Sequence, residues 1–159
     1  APIMVEVALV SSHAPWTPVA SLVPWSEIGD GAIFNAQAQS GPTPEEVWRD
    51  LSSIRDHYRQ TIEYMLTSMV SFVTEFGDDN VVILLLGDHP PAPMISGDPG
   101  TDEVIAHLIA SDPKVIEAIS SWEWQEGMLP NGNAPVWRMD YLHDRFIKDF
   151  SQETTKAIE

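Results

Sequence analysis

The hydrophobic positions of this 159-residue chain fall into three short runs and one long periodic stretch. The run from Val81 to Leu86 is uninterrupted, which is typical of a strand buried on both faces of a parallel sheet. The run from Ile3 to Val10 is broken only by Glu6 and contains several valines, so it also predicts a strand. Val104 to Ala110 predicts a third strand, although a helix also fits this stretch.

The periodic stretch runs from Val47 to Phe76, where apolar residues recur every three or four positions and predict one long helix. Thr43 and Glu46 have the spacing of a capping box at its start, and Gly77 is a natural terminator at its end. Because the helix is long, the pattern also leaves room for a break near His57. The stripe of apolar residues predicts that one face of this helix packs on the core.

Two shorter helices are predicted later in the chain, from Pro113 to Ser120 and from Asp140 to Phe150, the first of them capped by Asp112. The segments 11–44 and 122–136 are rich in turn-forming residues and predict loops. The order strand, long helix, strand predicts a right-handed βαβ unit. The expected fold is therefore a single α/β domain over residues 1–159, with a mostly parallel sheet flanked by helices.

Candidate chemistry follows the most apolar run directly, at Gly87-Asp88-His89. Ligands of open α/β sheets bind beyond the carboxyl ends of the strands, and aspartate and histidine are both ligands for zinc or manganese. The alternative is a turn in which Asp88 caps backbone N–H groups and His89 is merely polar. His13 follows the first predicted strand, so the same sheet edge is expected to hold it. There it would contact a phosphate or sulfate oxygen, or else serve as a loop histidine with a structural partner.

The charge balance excludes several classes of partner. The chain has 8 Lys and Arg against 24 Asp and Glu, a net charge of −16. Nucleic acids and anionic membrane surfaces are therefore not expected partners, since both are bound by clustered basic residues. The absence of cysteine excludes disulfides and thiolate metal sites. No apolar run approaches the ~20 residues of a membrane span, so the chain as given is expected to be soluble.

The remaining polar candidates are expected to be structural or solvated. His107 is predicted to be half-buried in a strand, and His57 and His143 are predicted to lie solvated on helices. Asp98, Asp102 and Glu103 form an acidic loop without the spacing of a calcium-binding EF-hand, so a solvated turn is expected. Most of the six tryptophans are expected to pack in the interior.

Two segments carry a resemblance to a known family. The stretch from Val81 to His89 resembles the late strand of the alkaline phosphatase superfamily, in particular its sulfatase-like branch, which includes lipoteichoic acid synthases and phosphoethanolamine transferases. This resemblance implies that Asp88 and His89 bind the catalytic metal, which would be zinc or manganese, with magnesium or calcium as alternatives. The segment Ser12 to Trp16 is similar to the branch's His-x-Pro-aromatic motif, which implies that His13 faces the phosphate or sulfate of the substrate.

The chain departs from this family before His13. The superfamily also needs an acidic metal ligand after its first strand and a Thr or Ser nucleophile soon after, and nothing upstream of His13 matches either of them. The resemblance therefore implies the C-terminal part of a larger sulfatase-like domain, with the catalytic nucleophile absent from this chain and metal binding by this part alone weak or absent. The start at Ala1, without an initiator methionine, agrees with a mature protein or a domain cut from a longer one.

Three functions remain open at this point. The first is the one that the resemblance implies: a metal-dependent hydrolase or transferase of phosphate or sulfate esters, whose parent protein is membrane-anchored with the domain outside the cytoplasm. The second is a non-catalytic binding or interaction module that uses tryptophan-rich loops to hold a partner. The third is a complete small hydrolase with an unrecognised site.

Overall fold

A computed structural model describes residues 3–78, 80–97 and 101–151 of the chain. These residues form two compact units, which are described separately. The first unit contains residues 3–76 and 91–97, and the second contains the described residues between 77 and 90 together with 101–151. Among the described residues, 45% are helical and 7% lie in strands.

The first unit is built from helices and loops. Its helices are α1 (Phe34–Gln37), α2 (Pro44–Val47), α3 (Leu51–Phe76) and α4 (Pro93–Ser96). Short 3₁₀ turns lie at Val10–Ser12 and Trp25–Glu27. Trp16, Val47, Ile54 and Thr61 are among its buried residues. The predicted loop over residues 11–44 is confirmed in outline, with only short helical turns inside it.

The long predicted helix is confirmed, and it does not break near His57. Thr43 Oγ1 accepts from the backbone N–H of Glu46, and the Glu46 carboxylate accepts from the N–H of Thr43, so the capping box forms as expected. The chain then leaves helical geometry between α2 and α3 and restarts where the Asp50 carboxylate accepts from the N–H of Ser53 at 2.9 Å. An aspartate that caps a new first turn explains the position of the break. From Leu51 the helix continues to Phe76 and stops before Gly77.

The predicted strand from Ile3 to Val10 is wrong. Residues 3–9 have no regular secondary structure, and Val10 begins a 3₁₀ turn. Their side chains are exposed, with Met4 at 91%. A strand needs a hydrogen-bonding neighbour, and in the part of the chain that the structure describes no strand pairs with these residues.

The second unit contains the strands β1 (Val82–Leu86) and β2 (Ala106–Ala110) and the helices α5 (Pro113–Ala118) and α6 (Met139–Phe150). β1 and β2 pair in antiparallel register, from Val82 opposite Ala110 to Leu86 opposite Ala106. The predicted mostly parallel sheet flanked by helices is therefore wrong, because the described residues form one two-stranded antiparallel sheet. The apolar run at β1 was interpreted as a strand covered on both faces, yet Val82 and Leu86 are exposed and the residues between them are only half-buried.

The core of the second unit is aromatic. Ile119, Trp122 and Leu142 are buried, and several partly buried side chains pack against them: Leu108, Trp124, Trp137, Phe146 and Phe150. Trp122 donates its indole N–H to the Asp149 carboxylate at 2.6 Å. The two predicted short helices are confirmed as α5 and α6, and Asp112 caps α5 by accepting from the N–H of Lys114. None of the helices in the described ranges is long and apolar enough to cross a membrane.

Candidate functional site

The candidate metal ligands follow the end of β1, where Gly87 makes the turn possible. The N–H of Gly87 donates to the Ile105 carbonyl at 3.3 Å, which extends the pairing of the two strands by one step. A Cβ added at Gly87 would lie 3.2 Å from the Cβ of Val104. This contact leaves little room for a side chain, so glycine lets the chain pass close to Val104 before it reaches Asp88.

Asp88 and His89 are both solvent-exposed, with side-chain exposures of 91% and 70%. The N–H of His89 donates to the Asp88 carboxylate at 3.1 Å, and His89 Nδ1 lies 2.9 Å from the Pro90 carbonyl oxygen. A carbonyl oxygen can only accept, so Nδ1 carries the proton in the neutral ring and Nε2 keeps its lone pair. This is the tautomer in which a histidine can bind a cation through Nε2.

The geometry of this pair fits two positions of a metal site. His89 Nε2 lies 3.8 Å from an Asp88 carboxylate oxygen. Two ligand atoms on one tetrahedral zinc ion lie roughly 3.4 Å apart, given bond lengths of about 2.1 Å. A small side-chain rotation would therefore bring both atoms onto one cation. No cluster of three or more His, Cys, Asp or Glu side chains suited to a metal occurs among the described residues. The pair could therefore supply at most two ligands, which do not complete a site.

His13 lies in the first unit, on a turn from Ser12 to Trp16. Its Nδ1 is 2.8 Å from the Ala14 carbonyl oxygen, so the neutral ring has the same tautomer as His89. The ring is exposed and keeps Nε2 available. His13 and Asp88 were predicted to share one sheet edge, each after a strand of a parallel sheet. This prediction fails in its first condition, because residues 3–9 form no strand and the two segments belong to different units.

Two indole groups hold the His13 turn. Trp16 Nε1 donates to the Ser12 carbonyl at 2.9 Å, and Trp48 Nε1 donates to the Pro15 carbonyl at 3.1 Å. The rings of Trp16 and Trp48 stack with centroids 5.4 Å apart, and Tyr58 meets Trp16 edge-on. Burial raises the pKa of Tyr58, so its hydroxyl stays neutral over the physiological range. Trp48 was not predicted as part of this site, because its contact with the Pro15 carbonyl spans 33 positions of sequence.

The other polar candidates fall largely where they were expected. His107 is half-buried, with Nε2 2.9 Å from the Met128 carbonyl oxygen, and His143 is exposed beside Asp144. His57 differs, since it is half-buried and its Nδ1 lies 3.0 Å from the Ser53 carbonyl oxygen. Asp102 and Glu103 are exposed, as predicted for a solvated turn, and Asp98 lies outside the described residues. The expected interior packing of most tryptophans is confirmed only in part, because Trp16 and Trp122 are buried, three others are half-buried and Trp48 is exposed.

An open pocket of about 350 Å³ lies beside α6 in the second unit. Its lining includes Trp137, Arg138, Asp140 and Tyr141. Arg138 forms two hydrogen bonds to the Asp140 carboxylate, which hold the pKa of that carboxyl below its usual range. The guanidinium of Arg145 lies 5.3 Å from the Trp137 ring centroid and 5.7 Å from that of Tyr141. These charges and rings already have partners within the chain.

Comparisons with known proteins identify no relative of this chain, so they give no information about the site. No family model matches the chain, and no curated protein or solved structure matches it either. The resemblance to sulfatase-like enzymes therefore rests on two short segments, the one ending in Asp88-His89 and the one around His13.

Proposed function

We propose that this chain is part of a metal-dependent hydrolase or transferase of phosphate or sulfate esters. Asp88 and His89 would contribute two metal ligands, and His13 would contact the phosphate or sulfate group. The remaining ligands and the nucleophile would come from a part of the protein outside this chain. The observation that carries this proposal is the exposed carboxylate and imidazole pair after β1, with an Nε2 lone pair 3.8 Å from a carboxylate oxygen.

Three features of the pair support a ligand role over that of an ordinary turn. His89 Nδ1 bonds to the Pro90 carbonyl, and one Asp88 oxygen accepts from the His89 N–H. His89 Nε2 and the second Asp88 oxygen remain turned to solvent. The two remaining atoms belong to the ligand types that zinc and manganese prefer. The tight passage of Gly87 past Val104 fixes where the pair leaves the sheet.

His13 supports the same chemistry from the first unit. Its Nε2 is available, and a protonated imidazole there would donate to a phosphate or sulfate oxygen. The indole bonds to the carbonyls of Ser12 and Pro15 fix the turn on both sides of the ring. A group that contacts substrate needs such support, which here comes from a local bond of Trp16 and a long-range bond of Trp48.

The non-catalytic alternative has less support. It uses tryptophan-rich loops to hold a partner, but the tryptophans of the second unit pack on one another. Trp122 is buried and meets Trp124 and Trp137 edge-on at 5.1 and 5.5 Å. Rings that contact each other in this way contribute to the core rather than to an exposed binding surface.

Calorimetric titration with zinc or manganese at moderate salt tests the metal role. We expect weak binding, because two ligands forfeit much of the free energy of a complete set. His89→Ala should weaken it at least about tenfold, since even the hydrogen-bonding partners of ligands are worth that much. The matched control is His143→Ala, which removes another exposed histidine next to an aspartate and should change nothing. Tight binding that survives His89→Ala, or an equal loss in both variants, would contradict the proposal.

An assay with aryl phosphate and aryl sulfate esters tests the assignment of the nucleophile. We expect no turnover by this chain with or without added metal, because the proposed nucleophile lies outside this chain. Robust metal-dependent turnover that Asp88→Ala abolishes would support the metal site and show that the nucleophile lies within this chain.

A further inference from the structure

We propose that Trp48 is a positioning residue for His13. Its ring and its indole N–H hold the turn that presents the free Nε2 of His13. This inference deepens the proposed function and rests on the substrate-contacting role of His13 given there. Trp48 itself is not expected to touch the substrate.

The turn that carries His13 is held in a conformation that it would not adopt unaided. Trp16 has φ +60°, a left-handed backbone conformation that costs free energy for any residue with a side chain. Such a residue stays in place only when its surroundings hold it. Trp16 is 7% exposed, and its burial comes from the parallel ring of Trp48 and the edge of Tyr58.

Trp48 acts on this turn in two ways. Its ring lies 5.4 Å from that of Trp16 with the planes 7° apart, so it covers one face of the strained residue. Its Nε1 also donates to the Pro15 carbonyl, while Trp16 Nε1 donates to the Ser12 carbonyl. These two bonds lie on either side of His13 and Ala14. The Ala14 carbonyl, which fixes the His13 tautomer, therefore lies between two backbone carbonyls that are each hydrogen-bonded to an indole N–H.

Core burial does not account for Trp48, because its side chain remains 42% exposed. Its position follows from the interruption between α2 and α3. Trp48 has φ −83° and ψ 5°, at the end of α2, and Asp50 starts the next helix. Because the helix is interrupted at Trp48, its backbone runs in a direction that it would not have in a continuous helix. In this orientation the indole N–H reaches the Pro15 carbonyl.

The test is the tautomer of His13, read from imidazole ¹⁵N chemical shifts of the whole chain, together with its response to inorganic phosphate. In the unmodified chain we expect the Nδ1–H form to dominate and phosphate to shift the His13 signals. Trp48→Ala should release the turn and reduce the shift of the His13 signals on adding phosphate. The ratio of the two His13 tautomers should change about fivefold, which is the effect of losing one net hydrogen bond. Trp48→Phe retains a ring but lacks the donor, so it should give an intermediate ratio.

The matched control is Trp25→Phe. Trp25 also lies in the first unit and donates its Nε1 to Ser71 Oγ at 2.9 Å, so its replacement removes an equivalent bond away from the His13 turn. It should leave the tautomer unchanged. A folded Trp48→Ala chain with an unaltered His13 tautomer would overturn the inference. If that variant does not fold, an unaltered tautomer in Trp48→Phe would overturn it instead.

This readout separates the inference from the proposed function. The tautomer needs neither metal nor ester, so a failure of metal binding at Asp88 and His89 leaves it measurable. A tautomer that depends on Trp48 but shows no phosphate response in the unmodified chain would confirm the positioning contact and contradict the substrate role of His13.

Discussion

The two histidine-bearing segments are held in opposite ways. The turn around His13 is fixed by groups far away in sequence, above all the indole of Trp48, and by the contact of Thr17 with the Pro42 carbonyl. The segment around His89 bonds through its sequence neighbours, the Asp88 carboxylate and the Pro90 carbonyl, and Gly87 before it contacts the facing strand. A neighbouring carbonyl sets the tautomer of both histidines, but long-range side-chain bonds hold the turn around His13, whereas Asp88 and His89 keep two ligand atoms exposed. The difference suits a rigid anion contact and an adaptable pair of metal ligands.

The largest expected effect comes from Trp16→Ala. It removes a buried ring that stacks on Trp48 and meets Tyr58, so we expect a loss of about 3–5 kcal/mol in the free energy of unfolding the first unit. Asp88→Ala removes an exposed side chain and should stay within about 0.5 kcal/mol. Urea unfolding measures both variants, combined with amide hydrogen exchange in α3 for Trp16→Ala and in β1 and β2 for Asp88→Ala. Similar losses in the two would remove the contrast between a long-range and a local segment.

Gly87→Ala should have the next largest effect, now on the second unit. The added Cβ would meet Val104 at 3.2 Å, and relieving that contact should cost about 1–3 kcal/mol. Val104→Ala in the same chain should restore part of the loss, because it removes the Cγ1 that the added Cβ would meet at 3.3 Å, while the Val104 Cβ at 3.2 Å remains. Hydrogen exchange of the β1 and β2 amides in a double-mutant cycle measures this coupling. Strictly additive effects of the two substitutions on stability would show that the close approach of Gly87 to Val104 does not require glycine.

Thr17→Val should cost about 1–2 kcal/mol. The change removes the 2.7 Å hydrogen bond that the hydroxyl of Thr17, a residue only 9% exposed, donates to the Pro42 carbonyl. Ser12→Ala is the matched comparison, since its hydroxyl donates to the Leu9 carbonyl in an exposed setting and should cost less than about 0.5 kcal/mol. Urea unfolding ranks the two variants. A larger loss for Ser12→Ala would mean that local bonds, not the contact to Pro42, hold the turn.

The smallest expected effect concerns the pH dependence of the helix start. The bonds from Thr43 lower the pKa of Glu46 below its ordinary value of 4.5. A depressed folded pKa gives a stabilising contribution that is present above the unfolded pKa and is lost as the pH falls through the folded pKa. Glu46→Gln should therefore flatten the acid limb of the stability curve in that window. Glu45→Gln, one residue away, is the control, and an equal flattening there would exclude a specific effect of the capping box.

The sequence predicted local structure well where local chemistry decides it. The capping box at Thr43, the cap at Asp112 and the strand before Gly87 all follow from short-range signals, and each is present. The antiparallel pairing of β1 with β2 could not be predicted. A continuous apolar run indicates a strand, but it does not reveal which strand will pair with it or in which direction. Residues 3–9 show the same limit, since strand propensity alone forms no strand without a hydrogen-bonding neighbour.

The candidate site could be predicted only in part for the same reason. The order of residues placed Asp88 and His89 directly after a strand, and the structure places them there, where both side chains are exposed. The tautomers of His13 and His89 depend on the carbonyls that their backbones turn toward, which the sequence does not specify. The role of Trp48 depends on a contact across 33 positions of sequence, so no local pattern could have revealed it.

The most direct test of the central claim maps where a cation binds. Mn²⁺ added to the ¹⁵N-labelled chain near physiological ionic strength, where the Debye length is about 8 Å, broadens the amide signals close to the bound ion. We predict that the amides of Gly87, Asp88 and His89 broaden first and that His89→Ala removes this selectivity. Broadening that begins at Asp140 and Asp144, or spreads evenly over the acidic surface and ignores His89→Ala, would contradict the account.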